Sequence, residues 1–265
     1  MSRSLATAIL CLPALFFIPA AAQETAAAKD TPLTVDQIVE KHTQALGGAD
    51  KLKAIQNVTI AGKAVLNGGQ IEAPMVMKIK RPSSMRMELS VQGKSFIQAF
   101  DGTTAWTVNP FTGSPDPQKS NDEDTQMAKD DSDFIEGALV DYKAKGNTVE
   151  LIGKEDVEGT PAYKLKITKK GGSIAYEYLD AQTFLPLRDS GKRKQAGAEL
   201  EFESTPSNYK PVNGVMMPYS LSQKVNGQPM MELTVEKIEV NTTIDDSVFQ
   251  LPEKPKEEKK DAAKQ

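Results

Sequence analysis

The chain has 265 residues, of which 32 are basic and 36 acidic, giving a net charge of −4. That balance makes no electrostatic case for a nucleic-acid partner. One cysteine, Cys11, and one histidine, His42, leave no material for a disulfide framework or a His- or Cys-rich zinc site.

In chain order, Arg3 precedes an apolar stretch from Leu5 to Ile18, and Ala20-Ala21-Ala22 follows before Gln23. This is the layout of a secretion signal, so residues 1–22 read as a cleaved signal peptide. The stretch is broken by Pro13 and Pro19 and is short for a membrane span. Cys11 lies inside it behind Leu10, not behind the small residue that lipidation wants, so the mature chain has no thiol for catalysis. Residues 23–32 read as a mobile leader. A helix then begins at Thr34, with Gln37 three residues on as a capping box and Leu33 with Ile38 as a staple. Ile38, Val39, His42, Ala45 and Leu46 share one helical face, and Gly47-Gly48 ends it. Residues 49–55 read as a second short helical piece.

From Val58 the period becomes two. Ile71, Ala73, Met75, Met77 and Ile79 alternate with polar neighbours, as do Met85, Met87, Leu89 and Val91. This is the pattern of antiparallel strands with one dry face. Asn67-Gly68-Gly69 and Gln92-Gly93-Lys94 mark hairpin turns. Asp101-Gly102 precedes a strand through Trp106. Residues 109–133 are polar and read as a loop carrying a short polar helix. An amphipathic helix is expected from Phe134 to Tyr142, with Asp133 and Glu136 as a second capping box. Further strands are expected over 148–156, 163–168, 174–179, 184–188, 199–203, 216–225 and 230–240. After Pro252 the Lys-, Glu- and Ala-rich tail, 253–265, reads as disordered.

The chemistry expected of an enzyme is thin. His42 sits on the packed stripe of the first helix, and no G-x-S-x-G motif accompanies it. The acidic residues of segment 121–133, namely Asp122, Glu123, Asp124, Asp130, Asp131 and Asp133, lack the spacing of a calcium-binding EF-hand loop and read as a solvated loop. A pair of acids for glycoside cleavage is a matter of spatial separation and stays open. No cofactor or metal is implied, and the chain reads as a non-enzyme.

The strands offer something else. Of ten methionines, eight fall in expected strands: Met75, Met77, Met85, Met87, Met216, Met217, Met230 and Met231. Methionine is flexible and polarisable and adapts to variable apolar shapes. The candidate cavity lining is therefore Met75, Met77, Ile79, Met85, Met87 and Leu89, with the aromatic residues Phe96, Trp106, Tyr176 and Tyr178. The expected cover is the first helix together with a lid of Phe134, Ile135, Ala138, Leu139 and Tyr142.

Ile79-Lys80-Arg81-Pro82, "MRMEL" and "FDGTTAWTVNPFTG", followed by "GTPAYKLKIT", "YLDAQTFLPLR" and "VEKIEVNTTIDDSVFQLP", resemble the LolA/LolB-type periplasmic lipoprotein carriers and the outer-membrane lipoprotein-sorting proteins. The resemblance runs over residues 33–252. It implies a mainly antiparallel incomplete β-barrel of about eleven strands, closed by a helical lid over a cavity for acyl chains. It also implies that Arg81, directly before a proline, bonds the lid. The function so implied is a monomeric periplasmic carrier for acylated lipoproteins or lipids, with envelope membrane complexes as possible partners. The alternative is a non-enzymatic envelope sensor or interaction module of the same fold. The chain departs from the carriers in its acidic insert, its charged tail and its methionine in place of aromatic residues.

Overall fold

In a computed structural model the described residues are 32–112, 114–130, 133, 135–195 and 198–252. The expected signal peptide, nearly all of the leader, the tail and Phe134 lie outside them.

Helix α1, Val35–Ala45, starts as its sequence requires. Thr34 Oγ1 accepts from the Gln37 backbone at 3.3 Å, and Gln37 Oε1 accepts from the Thr34 backbone at 2.9 Å. Helix α2, Ala49–Ala54, follows after Gly47 and Gly48. Gly47 is obligatory twice over. Its φ is +120°, and a Cβ there would lie 2.2 Å from the Gly214 carbonyl oxygen.

The strands are β1 Asn57–Leu66, β2 Ile71–Lys80, β3 Ser84–Val91, β4 Lys94–Phe100, β5 Ala105–Asn109 and β6 Ser114–Lys119. After helix α3, Asp122–Asp130, come β7 Thr148–Val157, β8 Thr160–Thr168, β9 Ile174–Asp180, β10 Pro186–Gln195, β11 Ala198–Val212, β12 Val215–Val225 and β13 Gln228–Val240. All thirteen form one open antiparallel sheet in the order β6-β5-β4-β3-β2-β1-β13-β12-β11-β10-β9-β8-β7. The eleven strands implied by the resemblance are thus exceeded. One unexpected strand is β6, whose Pro115 and Pro117 suit only a sheet edge, where a missing N–H breaks no ladder. Another difference is β11, whose polar residues 204–212 hide a strand of 15 residues.

The two free edges, β6 and β7, are consecutive strands in the chain. The segment between them therefore runs from one edge of the sheet to the other. The amphipathic helix expected at Phe134–Tyr142 is not formed: residues 135–146 are a succession of turns. Gly137 at φ +70° and Asp141 at φ +53° take left-handed backbone, which an α-helix of L-residues does not propagate. The expected capping box forms only half. Asp133 accepts from the Glu136 backbone at 3.2 Å, while the Glu136 side chain turns elsewhere.

One face of the sheet carries α1, α2 and the 135–146 turns, and is called the inner face below. On β7–β9, Tyr163, Leu165, Ile167 and Leu179 pack against Ile38, Val39 and Leu139. On β1, β2 and β12, Val58, Ile79 and Val215 pack against Leu52, Ile55 and Val140. A third cluster joins Ala64, Met75, Leu89, Met231, Leu233 and Val235 on the same face. Burying one such aliphatic side chain contributes on the order of 1.5–3 kcal/mol.

Candidate functional site

Direct antiparallel partners lie on the same face of a sheet, so the register sorts the candidate residues. Met77 pairs with Ile60 on one side and Met87 on the other. Ile79 pairs with Met85, and Met75 with Leu89, which in turn pairs with Phe96. Met75, Met77, Ile79, Met85, Met87, Leu89 and Phe96 thus share the inner face. Met217, Tyr219 and Leu221 of β12 continue it, since Leu221 pairs with the inward Leu233.

The burial of these residues is uneven. Met75, Ile79 and Leu89 are buried at 2, 7 and 5% exposure. Met77, Met85, Met87, Phe96, Met217, Tyr219 and Leu221 are only half-buried, although they face inward. In β12 every residue after Val215 is half-buried, on both faces. A strand packed under a solid core would alternate buried and exposed residues instead. The inward apolar side chains of β2–β4 and β12 therefore keep surface that the protein itself does not cover.

Three of the expected cavity residues lie elsewhere. Tyr178 pairs with Lys164 and Tyr176 with Lys166, on the face opposite Leu165 and Leu179. There Arg188 lies 4.0 Å over the Tyr178 ring, and Lys164 sits over both tyrosines at 5.2 and 5.4 Å. Trp106 pairs with Ala99, which pairs with Arg86, so it too is on the outer face. It is buried under the C-terminal segment that follows β13, where its Nε1 donates to the Phe249 carbonyl at 2.7 Å. Arg86 and Lys80 bind the same segment through the carbonyls of Val248 and Ile244. A hollow of about 310 Å³ on this outer face is lined by Pro74, Val76, Lys78, Arg86, Glu88 and Ser90.

At the end of the sheet where β1 begins and β2 ends, Arg81 ties three pieces together. Its Nε donates to the Ile55 carbonyl at 2.7 Å, and its Nη2 to the Leu52 carbonyl at 3.1 Å and to Glu136 Oε1 at 2.7 Å. The planar fork of a guanidinium serves several acceptors at once, as an ammonium does not. Glu136, its side chain 7% exposed, also faces Lys145 at 3.3 Å. Lys145 in turn pairs with Asp133 and donates to the Gly137 carbonyl. Ile135, Ala138, Leu139 and Tyr142 sit in the turns held this way, with Leu139 buried at 1% and the Tyr142 hydroxyl donating to Asp36 at 2.8 Å.

Sequence reasoning singled out His42 but passed over two other polar residues, Glu177 and Tyr209. Glu177 lies between Leu165 and Asp189 in the pairing, hence inward. Burial pushes its carboxyl up to about 7, with Lys169 pulling slightly the other way. Tyr209 donates to the Pro186 carbonyl at 3.0 Å, and burial together with Glu177 and Asp189 raises its phenol above the usual range. His42 of α1 is buried at 2% exposure with its Nδ1 on the Phe184 carbonyl, and burial holds it below its usual range, hence neutral.

Compared by sequence, the chain matches no described protein family and no curated relative. Solved structures do match. An outer membrane lipoprotein-sorting protein domain assigned in Vibrio parahaemolyticus aligns at a TM-score of 0.54 and 12% identity, over 82% of this chain and 97% of that one. A LolA superfamily protein from Nitrosomonas europaea aligns at 0.53 and 15% identity, over 83% and 98%. The fold is LolA-like. A DUF1329 family protein from Desulfovibrio piger shares it at 0.54 and 14% identity, over 82% and 97%. The LolA-like sheet here is open, and among the described residues no helix is long and apolar enough to cross a membrane.

Proposed function

We propose that this protein is a non-enzymatic periplasmic carrier that holds the acyl chains of a lipid or a lipid-modified protein against the inner face of its sheet. The observation that carries the reading is the half-buried state of Met77, Met85, Met87, Phe96, Met217, Tyr219 and Leu221, which face inward yet keep apolar surface to offer. Each methylene buried there contributes about 0.8 kcal/mol, so a chain of about ten carbons supplies several kcal/mol after the losses of association. Methionine suits the task because it repacks around chains of differing length. The 135–146 turns act as the lid and Arg81 as its latch, since the guanidinium bonds α2 and Glu136 together. Read as a secretion signal, residues 1–22 support a location outside the cytoplasm.

The test uses N-phenyl-1-naphthylamine, an uncharged fluorophore that brightens in apolar surroundings. Met77→Glu and Met87→Glu, each at a half-buried position, are expected to weaken its binding at least tenfold while the far-UV circular dichroism stays unchanged. Undiminished binding in both folded variants would overturn the reading.

A further inference from the structure

The outer face of the sheet changes in kind from one half to the other. On β7–β12 its charged side chains answer one another: Glu150 with Lys166, Glu155 with Lys164 and Glu203 with Lys224 pair at 2.9, 2.8 and 3.0 Å. On β1–β5 the outward row Val108, Ile97, Glu88, Val76 and Ala61, paired strand to strand, is apolar except at Glu88. Val76 is 39% exposed, and Ala61, Ile97 and Val108 are half-buried. The alternation of an antiparallel sheet with one dry face calls for polar side chains here. A contiguous exposed apolar row marks an interaction site. Glu88, the exception in the row, is engaged by Arg86 Nη2 at 3.0 Å and by the Ser95 hydroxyl.

The hollow of about 310 Å³ lies on this row, at the lower end of the range for ligand sites, about 300–1,000 Å³. Pro74 and Val76 give it an apolar wall, and Lys78 and Arg86 give it cations. Lys78 is half-buried and makes no hydrogen bond or ion pair among the described residues. Glu88 acts on it only through space. Beside the hollow, the same face already holds a length of polypeptide, the segment that follows β13. Lys80 donates to the Ile244 carbonyl at 3.0 Å, Arg86 to the Val248 carbonyl at 3.3 Å and Trp106 to the Phe249 carbonyl at 2.7 Å. Lys80 also pairs with Asp246, and Ile244 and Phe249 are buried. The docking chemistry of this face is therefore on view. Cations take backbone carbonyls and a carboxylate, and apolar side chains fill the space between them. Lys78, Val76 and Ile97 offer the same combination a second time.

We propose that the hollow and the apolar row beside it form a docking site for an extended segment of a partner protein, one that carries an apolar side chain and a carboxylate. The apolar side chain covers Val76 and Ile97, and the carboxylate pairs with Lys78. Charge sets the sign of the partner. Lys78 and Arg86 stand against Glu88 alone, and Arg86 already holds Glu88, so an acidic segment is attracted where a basic one is repelled. The chain's own tail does not match this chemistry, because the apolar residues of 253–265 are alanine and proline only. The hollow lies on the face opposite the half-buried methionines, so a partner docks there without entering the acyl site. The proposal does not depend on the carrier reading.

The experiment follows the fluorescence anisotropy of a labelled peptide that copies residues 243–252, added to the mature chain. The peptide has the chemistry this face accepts, with Ile244, Val248 and Phe249 as apolar side chains and Asp245 and Asp246 as carboxylates. Half-saturation is expected below about 1 mM. Val76→Asp and Lys78→Glu, neither of them a core position, are each expected to weaken binding about tenfold, roughly what one good contact gives. Far-UV circular dichroism and the dye affinity of the inner face are expected to hold in both. A peptide carrying Asp245→Asn and Asp246→Asn is expected to bind about tenfold more weakly. Trp106→Phe loosens the chain's own segment and is expected to leave peptide affinity unchanged. No binding to the wild type at about 1 mM, undiminished affinity in either hollow variant, or equal affinity for the asparagine peptide would overturn the proposal. An affinity that moves in Trp106→Phe would show exchange with the chain's own segment and overturn it as well. Sedimentation with phosphatidylglycerol vesicles that Val76→Asp abolishes, without peptide binding, would assign the row to a membrane surface instead.

Discussion

Glu177 offers a test of the inner face that needs no ligand. Its carboxyl has an ordinary value of 4.5 and stands at about 7 in the folded chain because burial disfavours the charged form. Between those two values the folded chain keeps a proton that the unfolded chain releases. Stability from this group is therefore intact below about pH 4.5, falls as pH rises through 7, and is fully lost above it. The gap corresponds to about 3 kcal/mol. Glutamine has the same shape and cannot ionise. Glu177→Gln should therefore gain on the wild type as pH rises, with a difference in unfolding free energy about 3 kcal/mol larger at pH 8.5 than at pH 4.5. Urea titrations at four pH values, followed by the emission of Trp106, the only tryptophan, provide the comparison. A Glu-to-Gln difference that stays constant between pH 4.5 and 8.5 would refute the placement of Glu177 in a desolvated position.

Two further substitutions probe the parts that frame the site. Arg81→Met removes two carbonyl bonds and leaves Glu136, 7% exposed, with Lys145 alone. It should cost about 3 kcal/mol, the range for breaking a buried pair from one side, and hydrogen exchange should quicken in residues 135–146 before it does in the strands. Trp106→Phe removes the Nε1 bond to the Phe249 carbonyl. It should cost about 1–2 kcal/mol and expose the segment after β13 to proteolysis, with dye affinity unchanged because Trp106 lies on the outer face.

How far the sequence was legible depended on how many signals agreed. The alternation in β2 and β3 is clean, so Met75, Met77, Ile79, Met85, Met87 and Leu89 could be placed on one face from spacing alone. The first capping box was equally plain, and both of its bonds form. In β9 the signal points the wrong way. Tyr176-Glu177-Tyr178 reads as two inward tyrosines around an outward acid, and the register reverses it. Leu179 shares the parity of Glu177 and was the only local hint. Trp106 reads as cavity lining, yet the register turns it to the outer face, beneath a C-terminal segment whose docking no short-range pattern encodes. The amphipathic stripe from Ile135 to Tyr142 is real, yet Gly137 allowed a left-handed backbone and the contacts were made by turns. In β6 and β11, prolines and small polar residues outweigh strand propensity locally, and only pairing with neighbouring strands decides.

The claim on which the rest depends is that the inner face of β2–β4 and β12 is finished by something other than the protein. Native mass spectrometry of the chain purified gently from the cell envelope tests this directly. The account predicts an added mass of a few hundred daltons or more that is released by organic solvent, identifies as an acyl-bearing molecule, and is absent from Met87→Glu. A wild-type chain that leaves the envelope at its bare mass, or bound only to another protein, would contradict it.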